Sequence, residues 1–571
     1  MEDLPEALLT EILNRITRTG DLNSLSLVSK QLYKIEGNQR DAIRVGSGLC
    51  TATEALTSFC ARFPNLRKVE IDYSGWITGH GNQLDNKGLS VFSSHCSSLI
   101  DLTLSFCSHI DDSGLACLAY CKTLVSLRLN SAPKITSVGL FSVAVGCTSL
   151  SALHLIGCEK IDSVEWLEYL GRDGPSLQAR FPNLWKVDID YSGWVPGHGK
   201  QLDNKGLLVF SSHCPSMIDL TLSFCSCIDD SGLACLANCK KLVSLRLKST
   251  PKITSIGLFS VAVGCTSLSA LHLIGCEKID SVEWLEYLGR DGSLEELVVK
   301  NCKGINHHDF LKFGSGWMKL QKFEFESKRG RYGLLDPGDV VYDSLYDAQS
   351  MDMYDFCCES LKDLRLAHIK TWPEAGLRVL LGKCKALEKL CLQYVHALND
   401  NDIIALSRSC SNLKRISLWL NLQRYSSDVS YCETRTSFTD NSLYALALNC
   451  RMLQMIDLSF TECDADWPSE IGFTQEGFLV LIKSCPIRVL VLNNGNFCDD
   501  EGMKALSSSP HLETLELILC RAVTDVGMRF IAHTPCLSNL TLRMCPNVTD
   551  VGVAELEHAQ MLRVFGHRVL W

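Results

Sequence analysis

The feature that most restricts this chain is a spacing. The pattern L-x-x-L-x-L-x-x-C/N/S returns at Leu66, Leu99, Leu124, Leu150, Leu184, Met217, Leu242, Leu268 and Leu294, in stretches such as LIDLTLSFC, LVSLRLNSA and LEELVVKNC. It keeps phase through Leu320, Leu361, Leu387, Leu413, Leu453, Ile487, Leu512 and Leu537, mostly at intervals of about 25 or 26 residues, which makes about 17 to 19 units. A chain of 571 residues would ordinarily divide into roughly three or four separate cores. Repetition removes that requirement, because each unit need only cover its neighbour.

Two periodicities alternate inside a unit. The L-x-L core places apolar side chains at every second residue, as a strand does, whereas IDDSGLACLA, ITSVGLFSVA and VTDVGMRFIA place them at helical spacing. In IDDSGL and VTDVGM the Asp or Ser ahead of the helix is positioned to cap its free N–H groups. Neither half hides its apolar face alone. The period is that of a leucine-rich repeat and implies an α/β solenoid, a horseshoe with an inner parallel sheet and outer helices.

Residues 61–174 recur as 179–292, matching at about 100 of roughly 114 positions with an offset of 118 residues, which is four whole repeats. A solenoid accepts such an insertion. An integral number of units preserves every local interface and lengthens the sheet by about 20 Å at ~4.8 Å per strand.

The repeat also accounts for most of the 29 cysteines. One set ends the strand (Cys107, Cys158, Cys225, Cys276, Cys302, Cys520, Cys545) and another precedes the next leucine in C-x-x-L (Cys96, Cys121, Cys147, Cys265, Cys384, Cys410, Cys450). Both slots suit a small buried thiol. Spread at one or two per repeat, they do not converge as zinc ligands must, and neither His307-His308-Asp309 nor Cys357-Cys358 finds completing ligands in sequence, so no metal is expected. A net charge of -10 gives no footprint for nucleic acid. No apolar run reaches the ~18 residues of a membrane span, and reduced thiols point to cytosol, nucleus or both.

The first 40 or so residues lack the period. In MEDLPEALLTEILNRITRTGDLNSLSLVSKQLYKIEGNQR, Leu8, Leu9, Ile12, Leu13 and Ile16 follow Pro5 at helical spacing, and Leu22, Leu25, Leu27 and Val28 suggest a second helix. A segment this short needs another surface over its leucines, either the first repeat or a partner.

Leu4-Pro5, Leu8-Leu9, Ile12-Leu13 and Leu27-Val28-Ser29-Lys30 are similar to the pattern of an F-box, although Leu32-Tyr33 stands where many F-boxes carry Trp. The whole chain resembles a plant-type F-box/leucine-rich-repeat protein, the group that includes hormone-receptor F-box proteins. The resemblance divides it into a small all-α F-box over 1–42 and a solenoid over 43–571. It implies the substrate-recognition subunit of an SCF-type ubiquitin ligase, non-enzymatic, with a Skp-type adaptor and through it a cullin-RING ligase as partners. It also implies adaptor contacts from Leu4, Pro5, Leu8, Leu9, Ile12, Leu13, Leu22, Leu25 and Val28. Some hormone-receptor relatives hold an inositol polyphosphate; here basic and acidic inner-face positions are interspersed, about a dozen of each, so no cofactor is expected.

The residues between the leucines pave the inner sheet face, where a target would sit. Candidate target contacts are Arg128, His154, Arg246, His272, Arg365, Trp419, Asp457 and Arg543, with Trp419 set apart as an aromatic on a polar face. Long segments after Ile71, Ile189, Phe325, Trp419 and Phe460 run from a strand's end to the next helix and are expected to project from one rim. Two other readings compete: an interaction scaffold whose N-terminal helices cap the first repeat, and a small-molecule co-receptor. For an enzyme the sequence offers no Gly-rich phosphate loop and no nucleophile elbow.

Overall fold

A computed structural model of the chain describes residues 4–16, 19–46, 52–75, 83–161, 183–193, 201–290, 293–305, 309, 318–327, 358–369, 377–395, 398–422, 435–461, 463, 470–557 and 563–565. The chain separates into two compact units, Met1–Asp280 and Ser281–Trp571, so the division falls within the repeat array and not after the N-terminal helices. No described helix is long and apolar enough to cross a membrane.

The first unit begins with three helices, α1 (Glu6–Asn14), α2 (Thr19–Ser26) and α3 (Lys30–Gln39), where the sequence pattern had suggested two. Nine strands follow: β1 (Ala42–Val45), β2 (Lys68–Asp72), β3 (Asp101–Ser105), β4 (Ser126–Asn130), β5 (Ala152–Ile156), β6 (Lys186–Asp190), β7 (Asp219–Ser223), β8 (Ser244–Lys248) and β9 (Ala270–Ile274). Each pairs in parallel with the next. The second unit holds β10 (Glu296–Lys300), β11 (Lys322–Glu326), β12 (Asp363–Ala367), β13 (Lys389–Gln393), β14 (Arg415–Asn421), β15 (Met455–Thr461), β16 (Val489–Asn493), β17 (Thr514–Ile518), β18 (Asn539–Arg543) and β19 (Arg563–Phe565), again in parallel succession. The parallel sheet backed by helices is that of leucine-rich repeats.

The leucine ladder lines up residue by residue. Val69, Leu102, Leu127, Leu153, Val187, Leu220, Leu245 and Leu271 are register partners in succession, and all are at most 1% exposed. Each such side chain contributes about 1.5–3 kcal/mol on burial, as an upper bound. Along a strand, buried and open positions alternate, as in Ser126–Asn130.

Three devices outside the leucine pattern join each repeat to the next. The first is a left-handed corner after the strand: Phe106, Ser131, Phe224, Ser249, His368, Tyr394, Asn494 and Leu519 have φ between 48° and 57°. For non-glycine residues this conformation costs about 1–2 kcal/mol each. It is offset because the corner amide still donates across the ladder, as Ser131 N–H does to Ile156 O at 2.7 Å and Tyr394 N–H to Trp419 O at 2.9 Å.

The second device is a carboxylate relay along the helix starts. In VTDVGM it is Thr524 that caps, its hydroxyl accepting from Val526 N–H at 3.2 Å, which corrects the expectation that Asp525 would do so. Asp525 instead reaches forward to the next repeat, where its carboxylate accepts from Thr549 N–H and Oγ1–H, both at 2.7 Å. Asp112 serves Thr136 in the same way (2.7 and 2.6 Å), as do Asp230 for Thr254, Asp400 for Thr439, Asp440 for Thr474 and Asp500 for Thr524. The glycine three residues after the cap makes room: a Cβ on Gly139 would lie 2.5 Å from Asp112 Oδ1, and one on Gly527 2.5 Å from Asp500 Oδ1.

The third device is the thiol. Cys158 and Cys276 direct Sγ to Leu129 O and Leu247 O of the preceding strand, each at 3.5 Å, and Cys147 and Cys265 direct theirs to Leu118 O and Leu236 O at 3.1 Å. Both cysteine slots thus combine a small volume with a weak donor to a main-chain carbonyl of the preceding repeat. Burial pushes the thiols of Cys147 and Cys265 up to about 12, so they stay protonated and unreactive.

Candidate functional site

The nine apolar residues read as adaptor contacts are divided by the structure. Leu9 and Leu13 point inward from α1 and meet Leu32 and Ile35 of α3 in a core where none is more than 4% exposed. Leu4, Leu22 and Leu25 pack against that core. These five hold the helices together, and Leu9 and Leu13 in particular present no surface to a partner. Pro5, the residue before α1, is exposed, as are Leu8 at 52% and Ile12 at 48%, which share one face of α1 four residues apart. Val28 (62%) is also exposed, and so is Leu27 (84%), which the site reading had left out.

Another side of the helical segment is fixed to the first repeat. Arg62 ends the helix Ala52–Arg62 and pairs with Glu36 of α3 at 3.1 Å, donates to Ser26 Oγ at 3.1 Å and lies 4.0 Å over the Tyr33 ring. Glu36 is 2% exposed and also pairs with Arg40. The approach is close enough that a Cβ on Gly37 would sit 2.5 Å from Arg62 O. The segment therefore packs on the array on one side and keeps apolar side chains open to solvent on another, an arrangement in which a cap and a partner-binding face can coexist.

On the open sheet face of the first unit, lateral ion pairs absorb most charge. Arg44 pairs with Glu70 and Asp72, Lys68 with Asp101, and both Lys186 and Arg246 with Asp219, the latter at 2.7 Å. His154 is only 6% exposed and hydrogen-bonds Asp188 at 3.3 Å; this removes it from the accessible target contacts. His272 is its half-buried register counterpart beside Arg246. Arg128 adjoins His154 in register and makes no ion pair among the described residues.

In the second unit Arg365 turns to Asp363 of its own strand at 3.1 Å, and Arg543 is exposed at the end of β18. Trp419 and Asp457 are brought together. Asp457 is the register partner of Ser417, and its Oδ2 accepts from Ser417 Oγ–H at 2.7 Å and from Trp419 Nε1–H at 3.1 Å. The corner residues extend this: Tyr394 packs edge-on to Trp419 with centroids 6.1 Å apart, and His368 stacks on Tyr394 at 4.9 Å. Tyr394 and His368 were not singled out from sequence; the signal was their corner slot, which elsewhere holds Ser, Asn or Gly at several repeats.

Among the described residues no three His, Cys, Asp or Glu side chains group as metal ligands. Cys358 is buried in the slot before Leu361, while His307, His308 and Cys357 lie outside the described residues. So do large parts of the five long rim segments, including 76–82, 194–200, 328–357, 423–434 and 464–469.

Comparison with known proteins agrees with both parts of the chain. An F-box domain model matches residues 1–41 and a Leucine Rich repeat model matches residues 95–119 and 213–237. The chain thus joins an F-box domain to leucine-rich repeats. It is similar to GRR1-like protein 1 of Arabidopsis thaliana, 23% identical over 484 residues that cover 80% of this chain and 74% of that one. It is also similar to DNA repair protein rhp7 of Schizosaccharomyces pombe, 24% identical over 363 residues, 62% of this chain and 60% of the relative, so it spans under two thirds of that protein's length. Among solved structures, the yeast complex of Rad7 and Elc1 contains a chain 15% identical with TM-score 0.37, covering 99% of this chain and 98% of that one.

Proposed function

We propose that this chain is the substrate-recognition subunit of an SCF-type ubiquitin ligase. Its F-box binds a Skp-type adaptor and through it a cullin-RING assembly, and its sheet face holds the target. The observation that carries the reading is the exposed apolar set Leu8, Ile12, Leu27 and Val28 on a segment whose other surfaces are already committed to its own core and to Arg62. Exposed apolar side chains grouped on so short a segment call for a partner. Pro5, beside them and exposed, is proposed as part of the same contact.

The chain's contribution is proximity. Holding a target lysine near a charged conjugating enzyme raises effective concentration, while the thioester chemistry belongs to other subunits. The free, buried thiols support a reducing compartment, cytosol or nucleus.

The decisive variant is Leu8→Arg with Ile12→Arg, because both side chains are half exposed and their loss spares the core around Leu9 and Leu13. Leu4→Arg would instead strike the core. The double variant is expected to stay folded by circular dichroism and to lose co-purification with a Skp-type adaptor by at least ~100-fold, since two charges would replace buried hot-spot contacts. Undiminished adaptor binding would overturn the proposal.

A further inference from the structure

We infer that the open face of β14–β17 is built to take a basic side chain, Arg or Lys, from an exposed segment of the target protein, with Asp457 as its counter-ion and Trp419 as its aromatic wall. The inference rests on the target-recruitment reading of the sheet face and gives that target a chemistry.

The argument starts from how this face treats its carboxylates. Glu70, Asp72, Asp101, Asp188, Asp219, Glu296, Glu324 and Asp363 each have a basic partner within 4 Å on the same or an adjacent strand. Asp457 has none among the described residues, and neither do Asp190, Glu326 and Glu516; what distinguishes Asp457 is its pair of side-chain donors. It is held instead by two neutral donors, the Ser417 hydroxyl and the Trp419 indole N–H, both on Oδ2, which leaves Oδ1 open. Neutral donors orient a carboxylate without cancelling its charge. A fixed, uncancelled anion half-buried beside an indole is the arrangement that recognises an ammonium or guanidinium group.

The surroundings favour the same occupant. The middle row of this face runs Cys391, Ser417, Asp457, Val491, Glu516 across adjacent strands, and the row beyond it Gln393, Trp419, Ser459, Asn493, Ile518. These ten positions carry two carboxylates and no cation. Asp457 and Glu516 lie two strand spacings apart, about 10 Å, with Val491 between them to receive the aliphatic stem of an incoming Lys or Arg. The basic groups that border these rows are Lys389 and Arg365, both paired with Asp363, Arg543, the register partner of Ile518, and Arg415, which opens β14 opposite Met455. Of the two donors to Asp457, Ser417 is level with it and Trp419 lies two residues further along β14, on the side away from Arg415. Tyr394, edge-on to Trp419 at 6.1 Å, braces the indole.

The test uses the purified full chain without an adaptor and four oriented peptide libraries, with Arg, Lys, citrulline or Glu fixed at the centre. Arg and Lys pools are expected to be retained at least 10-fold over the citrulline and Glu pools, with retention falling as salt rises. Asp457→Asn should remove that preference, and Trp419→Phe should weaken it several-fold. Equal retention of all four pools, or an unchanged preference in Asp457→Asn, overturns the inference. The Leu8→Arg/Ile12→Arg variant is expected to keep the preference, so failure here and failure of adaptor binding are read independently.

Discussion

The carboxylate relay makes a quantitative claim that a double-mutant cycle at Asp500 and Gly527 can test. Asp500 accepts from Thr524 N–H at 2.8 Å, Thr524 Oγ1–H at 2.6 Å and Gly527 N–H at 3.0 Å. In Asp500→Ala the hydroxyl can turn to solvent, whereas the two part-buried amides cannot; at ~1–2 kcal/mol for each orphaned donor, the loss is about 2–4 kcal/mol. Gly527→Ala places a methyl 2.5 Å from Asp500 Oδ1, so the carboxylate must withdraw and the same bonds go. Once Asp500 is Ala, that clash is absent. The second substitution then meets only Met503 Cγ at 3.0 Å and Val523 Cγ1 at 3.2 Å and gains ~1 kcal/mol of helix propensity. The single losses should therefore fail to add, with a coupling of about 2 kcal/mol. Because repeat arrays open locally, the assay is native-state hydrogen exchange of the amides in the helix Asp525–Ile531. Additivity within ~0.5 kcal/mol would show that Gly527 is there for a reason other than the carboxylate.

Two further outcomes follow from the same structure. Glu36→Ala leaves Arg40 and Arg62 without their shared, 2%-exposed partner and should cost about 3 kcal/mol in the attachment of α3 to the first repeat; the N-terminal helices should become markedly faster substrates for limited proteolysis, and an unchanged rate would refute the docking role. Iodoacetamide at pH 8 should modify the exposed Cys227 and Cys536 in the native protein while leaving Cys107 and Cys214, whose thiols burial pushes up to about 12, untouched until urea is added. Peptide mapping of native and unfolded samples distinguishes the two classes, and comparable native labelling of Cys107 would refute the assignment.

What could be read from the sequence was whatever depends on periodicity. Val69, Leu102 and Leu127 recur at one phase because each must fill the same slot between sheet and helix, and that phase fixes their register. The corners were hard to read because the slot holds Phe or Tyr at some repeats and Ser, Asn or Gly at others; the left-handed backbone is imposed by the ladder bond the corner amide makes. The third helix was hidden because α3 offers only Leu32 and Ile35 to the core, too few to mark a period. At the candidate site, the alternation placed Trp419 and Asp457 on the open face, but 38 residues separate them, and only strand register reveals that one donates to the other. The inward direction of Leu9 and Leu13 was hidden for a related reason: a helical spacing tells which residues share a stripe, not which stripe the rest of the chain covers.

The manner in which the N-terminal helices are attached bears on the function as much as the faces they expose. A flexible tether would give a bound target a wide range of positions, and effective concentration falls steeply as that range grows. Here α3 meets the first repeat through the buried carboxylate of Glu36, two guanidinium groups, the Tyr33 ring and an approach so tight that Gly37 admits no side chain. Asn65 Nδ2–H adds a bond to Asn38 O at 2.8 Å, and β1 then pairs directly with β2. The exposed face of α1 is thereby held at a set angle to the strands of the first unit by packing and ion pairing. On the proposed reading, weakening Glu36 would loosen the geometry of target presentation while leaving Leu8 and Ile12 free to bind the adaptor, so adaptor affinity and ubiquitin transfer should separate in that one variant.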